Sequence, residues 1–214
     1  MFCFFFEKLV NVLIWEFLMK IKVCFIFLSL SFVNSNLQSN VSPEGFERFP
    51  NYYFVETGTY MGMGIRFALR AKFPEIHSLE IKKEYVKNAK KMFTSHKNVF
   101  LWQGDSGKDL WGIIKNLDKP ITFWLDGHRG TADPEGGKNT PLLEELEQIK
   151  RHPIKNHIII IDDMHCCETA LFDYLTQIEI ADKVKEINPE YTIYYVDGGD
   201  QGEYKNNIMV AQVL

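Results

Sequence analysis

The chain has 214 residues, 46% of them hydrophobic and 24% charged, and a formal net charge of −4 at pH 7. That length suits one globular domain with a full core plus a short extension, and the acidic balance gives no basis for a nucleic-acid partner. Four cysteines, Cys3, Cys24 and the adjacent Cys166 and Cys167, form neither a disulfide framework nor a CxxC zinc site.

Residues 1–35 are rich in Phe, Leu, Ile and Val and contain no Gly or Pro. Lys20 and Lys22 precede the apolar run Val23–Val33, and Val33-Asn34-Ser35 offers a cleavage site, so the pattern predicts a secretory signal peptide or membrane anchor, with Met19 as a second candidate start. The run from Val23 is short of the ~20 residues that a span requires, and an amphipathic helix docked on the domain is the other reading. The location that follows is secretory or membrane-associated through this segment, or cytoplasmic if residues 1–35 are not a working signal. Asn36–Pro50 is polar and reads as a linker to a domain over residues 51–214.

From Asn51 onward strands and helices alternate. Tyr52–Glu56 is an apolar strand, Gly62–Lys72 a helix, and Ile76–Ile81 a second strand. Lys83–Thr94 is helical, with Lys82, Lys83, Lys87, Lys90 and Lys91 on a solvated face. Asn98–Gln103 is the third strand, Ser106–Leu117 a helix, and Ile121–Asp126 the fourth strand. Pro141–Arg151 is helical, with proline suited to its first turn. His157–Asp162 carries four consecutive isoleucines, the mark of a strand buried on both faces. A helical region follows to about Lys185. Tyr191–Val196 and Ile208–Val213 have no helix between them and should form an antiparallel hairpin. The expected fold is α/β: a Rossmann-like, doubly wound, seven-stranded sheet, mostly parallel with an antiparallel C-terminal hairpin.

Ligands of such sheets bind beyond the carboxyl ends of the strands, and here every parallel strand ends in a carboxylate. The first strand runs into Glu56-Thr57-Gly58-Thr59 and a turn that reaches Gly62-Met63-Gly64, where glycine allows positive φ and close approach of a ligand. The second ends at Glu80, suited to a ribose diol or simply a solvated strand end. The third ends at Gly104-Asp105-Ser106, where Ser106 caps the next helix and Asp105 meets an adenine edge, or both serve as caps. Asp126, Asp162 and Asp163 end the fourth and fifth strands. Converging, they suit a hard divalent cation, Mg²⁺ or Ca²⁺; alternatively one caps a helix and another binds cofactor. His128 and His165 follow these ends, and His128, beside Asp126, is the favoured general base. The Gly-rich loop Arg129–Asn139 reads as a lid. The G-x-G-x-x-G spacing of nicotinamide enzymes is absent, since Gly62-Met63-Gly64 continues as Ile65-Arg66-Phe67.

Taken together, Glu56-x-Gly58-Thr59-x-x-Gly62, Glu80, Gly104-Asp105-Ser106 and the Asp126 strand end resemble class I S-adenosylmethionine-dependent methyltransferases, over about Tyr52 to Leu214. The resemblance implies that Glu56, Thr57, Gly58, Thr59 and Gly62 face the methionine part of S-adenosylmethionine. It places Glu80 on the ribose, and Gly104, Asp105 and Ser106 at the adenine. Asp126 followed by Asp162-Asp163 is similar to the cation-dependent O-methyltransferases, which hold Mg²⁺ with an acidic residue after strand four and an Asp-Asp or Asp-Asn pair after strand five. The stretches Phe123–His128 and Pro141–Leu146 also resemble uncharacterised bacterial methyltransferase-like proteins. The activity implied is O-methylation of a small polar or sugar-like acceptor, with Asp126 and His128 acting on its hydroxyl. The alternative is a non-catalytic, exported binding module that keeps the fold.

Overall fold

The computed structural model describes residues 43–131, 138–198 and 204–214. These belong to one compact unit, Asn40–Leu214. Its seven strands are β1 (Tyr53–Thr57), β2 (Glu75–Glu80), β3 (Val99–Gln103), β4 (Ile121–Leu125), β5 (Ile158–Ile161), β6 (Thr192–Gly198) and β7 (Tyr204–Gln212). They form a single sheet in the order β3-β2-β1-β4-β5-β7-β6. The first five strands run parallel, and β7 is antiparallel to both β5 and β6. The expected sheet, with its C-terminal hairpin, is the one found. Helices α1 (Met63–Arg70), α2 (Lys83–Met92), α3 (Ser106–Ile114), α4 (Leu142–Lys150) and α5 (Gln177–Ile187) connect the strands.

The strand order reverses between β1 and β4, which is where a crevice opens at the carboxyl edge of such a sheet. Register brings those ends level: Thr57 lies opposite Leu79 on one side and Leu125 on the other, and Leu125 lies opposite Ile161. β4 and β5 stop one residue short of Asp126 and Asp162, so these carboxylates stand on the rim, just past the ladder.

The isoleucine run explains why both faces are covered. Side chains alternate across a strand, so Ile159 and Ile161 enter one apolar cluster with Phe123 and Leu146, while Ile160 enters the other with Phe54 and Trp124. The helical region expected after β5 is shorter than the sequence suggested. Two 3-10 turns, Met164–Cys166 and Ala170–Phe172, come first, and Asp173 and Tyr174 then adopt positive φ, which an α-helix cannot accommodate. α5 starts only at Gln177, where Thr176 and Glu179 form a reciprocal capping box.

The stretch expected to be a linker ends as part of the core. Pro43–Arg48 is a 3-10 helix, and Phe46 and Phe49 are 0% and 1% exposed. The Phe46 ring packs 4.9 Å from Phe54 and 5.1 Å from Trp124. Thr122 ties the segment down by donating its hydroxyl to the Phe49 carbonyl at 2.8 Å. A buried histidine pair closes the opposite, amino edge of the sheet. The Ile121 amide donates to His157 Nδ1, so His157 Nε2 donates to His152 Nδ1, and His152 Nε2 donates to the Ile114 and Leu117 carbonyls. His157 Nδ1 accepts an amide and so carries no proton, and burial pushes its imidazole down to about 3.

Residues 1–42, including the signal or anchor expected over 1–35, lie outside the described residues. The expectation of membrane association and an anchored location is corrected by the helices. Among the described residues no helix is long and apolar enough to cross a membrane; the longest, α5, has 11 residues.

Because Phe46 fills a closed aromatic cluster, Phe46→Ala should leave a cavity and destabilise the domain by about 3–5 kcal/mol. Urea denaturation of the full chain checks this. A change under about 1 kcal/mol would show that the segment is only loosely attached.

Candidate active site

The turn after β1 is built by two glycines in the left-handed region, Gly58 at φ 84° and Gly62 at φ 76°. A Cβ on Gly58 would overlap the Asp126 carbonyl, so the end of β4 passes directly over it. Gly62 donates its amide to the Thr59 carbonyl at 2.7 Å and begins α1; a Cβ there would stand 2.8 Å from the Phe93 ring. Consecutive strand residues point to opposite faces, so Glu56 faces α1 and Thr57 faces the α4 side. Gly64 lacks the Cβ that would occupy the space of the Glu56 carboxylate. Glu56 lies opposite Ser78 in register and accepts its hydroxyl at 2.5 Å, and Ser78 in turn meets the Thr59 hydroxyl at 2.6 Å. Only 2% of Glu56 is exposed. Burial pushes its carboxyl up to about 8, against the partial opposition of the Ser78 bond.

Glu80 is buried at the end of β2. Its two oxygens accept the backbone amides of Tyr60, at 2.9 Å, and Lys82, at 2.8 Å, so it fixes the glycine turn to β2. At the end of β3 the capping role falls to one residue of the pair. Asp105, not Ser106, caps α3: its carboxylate accepts the Gly107 amide at 3.0 Å and pairs with Lys108 at 2.7 Å. Ser106 is buried inside the first turn, its carbonyl accepting the Gln148 amide at 2.8 Å. Beside Gly104, Asp109 accepts the Asp105 amide at 2.8 Å.

At the ends of β4 and β5 the donors that converge are Asp126, His128 and Asp163, whose ligand atoms all lie within 4.8 Å of one another. His128 Nε2 is 3.0 Å from Asp163 Oδ2 and its Nδ1 is 3.5 Å from Asp126 Oδ1. The ring packs on Phe172, 5.1 Å between centroids. The expected trio of Asp126, Asp162 and Asp163 is therefore not the one assembled. Asp162 Oδ1 instead accepts the Asp163 amide at 2.7 Å and the Asn207 side-chain amide at 3.4 Å. Burial, then the neighbouring Asp162 and Asp163, raise the Asp126 carboxyl well above the usual range. Burial and Asp163 bring Asp162 to about 6. On Asp163 burial also acts upward, but hydrogen bonds from His128 and Asn207 outweigh it and the carboxyl ends below its ordinary value. His165 is half-exposed, stacks on Tyr204 and bonds Asn207 through Nδ1. The expected lid, Arg129–Asn139, falls largely on residues 132–137, outside the described residues. Its far end is held by Asp173, which accepts the Asn139 and Thr140 amides.

Two site residues are not evident from strand ends. Asn207 is buried on β7, and its side-chain amide reaches Asp162 and Asp163 from the antiparallel hairpin. Glu145 is buried on α4, at the same helical spacing as Leu142, Leu146 and Ile149; a carboxylate on that apolar stripe is its sequence signal. Burial pushes it up to about 7, against the partial opposition of the Ser106 and Thr57 hydroxyls. Gly127, without a Cβ, lies over both.

No protein-family model matches the chain, and no curated protein matches it. Solved structures do. The SAH-bound Podospora anserina methyltransferase PaMTH1 aligns with a TM-score of 0.53 at 11% identity, over 80% of this chain and 76% of its own. The Bacillus cereus O-methyltransferase in complex with SAH aligns at 0.53 and 14%, over 79% and 77%. A putative methyltransferase from Streptococcus mutans in complex with SAH aligns at 0.52 and 11%, over 80% and 95%. At these identities the likeness is one of architecture: the chain has the fold of class I S-adenosylmethionine-dependent methyltransferases.

The Glu56 carboxyl carries a sign that can be measured. Its pKa is higher in the folded than in the unfolded state, so the native protein binds the extra proton between about pH 4.5 and 8. The stability it contributes is complete below that window and is lost as pH rises through it. Glu56→Gln should flatten the fall in unfolding free energy across this range by about one proton, ~1.4 kcal/mol per pH unit. Parallel slopes for variant and wild type in urea titrations would show that the carboxyl titrates normally.

Proposed function

We propose that the chain is an S-adenosylmethionine-dependent methyltransferase that methylates a hydroxyl oxygen of a small polar or sugar-like acceptor. The observation that carries this reading is the β1 turn: Gly58 and Gly62, both at positive φ, turn the chain sharply where the strand order reverses, next to the buried Glu56 carboxyl. A carboxyl held out of water and raised to about 8 suits a cationic ligand, and S-adenosylmethionine brings both an ammonium and a sulfonium group. Tyr60, Met61 and Met63 stand exposed around the turn.

In the reaction the acceptor oxygen attacks the sulfonium methyl carbon in line with the breaking C–S bond. Sulfur keeps the electron pair as a thioether, and the hydroxyl proton leaves to solvent beside the cluster of Asp126, His128 and Asp163. The methyl group is already activated, so holding oxygen and carbon in line supplies much of the rate. The cluster adjoins the Gly58 turn, because the Asp126 carbonyl lies against Gly58. A divalent cation belongs to this reading: held by Asp126, His128 and Asp163, it would lower the pKa of the acceptor hydroxyl.

One observation favours a second reading, a non-catalytic binding module on the same fold. Both Glu80 oxygens already accept backbone amides, and Glu56 is almost closed off from solvent.

Calorimetry with S-adenosylhomocysteine separates the two. Enzyme predicts saturable binding at pH 7, weakened by Glu56→Ala, with release of up to about one proton as the ammonium draws the Glu56 carboxyl toward its charged form. The release is read from the dependence of the heat on buffer ionisation enthalpy. A folded protein that gives no heat, with Glu56→Ala behaving identically, defeats the methyltransferase reading and leaves the binding module. The cation half is tested on turnover: EDTA should abolish transfer and added divalent ion restore it, and indifference to both removes the cation.

A further inference from the structure

We propose that the Asp126–His128–Asp163 cluster selects a first-row transition ion of the Mn²⁺ or Co²⁺ type over Mg²⁺ or Ca²⁺, with His128 supplying a nitrogen ligand. This inference rests on reading the rim of β4 and β5 as a cation-assisted acceptor site, and it settles which cation that site takes.

Three features tilt the rim away from the oxygen-only site that Mg²⁺ or Ca²⁺ would prefer. Asp162, the third carboxylate in sequence, spends Oδ1 on the Asp163 amide and on Asn207. Asn207 cannot replace it. The His165 backbone N–H can only donate, and it bonds Asn207 Oδ1 at 3.2 Å, so the carbonyl of Asn207 is turned away from the aspartates. What Asn207 shows Asp162 and Asp163 is its NH₂ group, which repels a cation. Third, Asn207 uses Asp163 Oδ1 and leaves Oδ2 to face His128.

The imidazole then takes the vacant role. Its side chain is 9% exposed, and the Phe172 ring packs against it, so it cannot readily swing into solvent and leave two carboxylates to an alkaline-earth ion. Imidazole nitrogen adds little to the binding of hard cations but strengthens that of transition ions along the Irving–Williams order, while two carboxylates keep the site open to Mn²⁺. The opposing account is that His128 serves as a protonated counter-ion between two aspartates, in which case the cluster has no use for a metal.

The experiment uses the full chain stripped of metal by a chelator. Mn²⁺, Co²⁺ and Mg²⁺ are titrated calorimetrically, and bound Mn²⁺ is examined for ¹⁴N coupling by electron spin-echo envelope modulation. Mn²⁺ and Co²⁺ should bind at least about tenfold tighter than Mg²⁺, with nitrogen coupling present. His128→Gln should remove that coupling and lower Mn²⁺ affinity by about tenfold or more, leaving Mg²⁺ affinity within roughly twofold. Equal affinities, an absence of ¹⁴N coupling in the unaltered protein, coupling that survives in His128→Gln, or no binding of any ion would each overturn the proposal. S-adenosylhomocysteine binding, measured on the same preparation, fails or succeeds separately. Cofactor binding without metal preference sinks this inference alone, and metal preference without cofactor binding sinks the methyltransferase reading alone.

Discussion

The structure turns on the burial of carboxyl groups at one rim of a parallel sheet. Glu56 and Glu145 are removed from water and Asp126 and Asp162 partly so, and in each case burial is the largest reason that the carboxyl is held toward its neutral form. An isolated buried charge costs several kcal/mol unless hydrogen bonds or a counter-charge offset it. A fold that retains four such groups in one region concentrates unmet demand for positive charge and donors there. Structural ion-pair networks also perturb pKa values, but these groups gather at the carboxyl edge of the sheet where the strand order reverses.

The surrounding residues divide between those that lower this cost and those that let the carboxyls stand close together. Ser78, placed opposite Glu56 by register, supplies one hydroxyl. Asn207, brought in by the antiparallel hairpin, donates to the Asp162-Asp163 pair and orients His165 with its other end. Glu80 and Asp105 are satisfied locally, by backbone amides and a helix N-terminus. Glycine does the opposite work. At Gly58, Gly64 and Gly127 an added Cβ would press on the Asp126 carbonyl, the Glu56 carboxylate and the Glu145 carboxylate respectively, so their absence of side chain lets polar groups crowd where a larger residue would part them.

Much of this architecture can be read from residue order. Four isoleucines in a row announce a strand covered on both faces, and Ile159, Ile160 and Ile161 do alternate between two cores. Gly58 and Gly62 announce a turn with positive φ, and both adopt it. Other features could not be read. Phe46 and Phe49 sit in a polar stretch with no periodicity, and only the aromatic pocket formed by Phe54 and Trp124 makes them core. Nor can the start of α5 be read, because apolar spacing continues through Asp173 and Tyr174, whose left-handed backbone is imposed by the loop around them.

Sequence by itself determined the order of elements, the parallel sheet with its terminal hairpin, and the placing of a carboxylate at each parallel strand end, because periodicity and turn chemistry are local properties. Which of those carboxylates meet one another was a matter of tertiary structure. Asp105 turned to its own helix, Asp162 to its neighbour's amide, and His128 moved in beside Asp126 and Asp163. Those choices depend on sheet register, on Phe172 packing from one loop and on Asn207 reaching across from β7. Such contacts join residues up to 45 positions apart, and no local pattern along the chain encodes them.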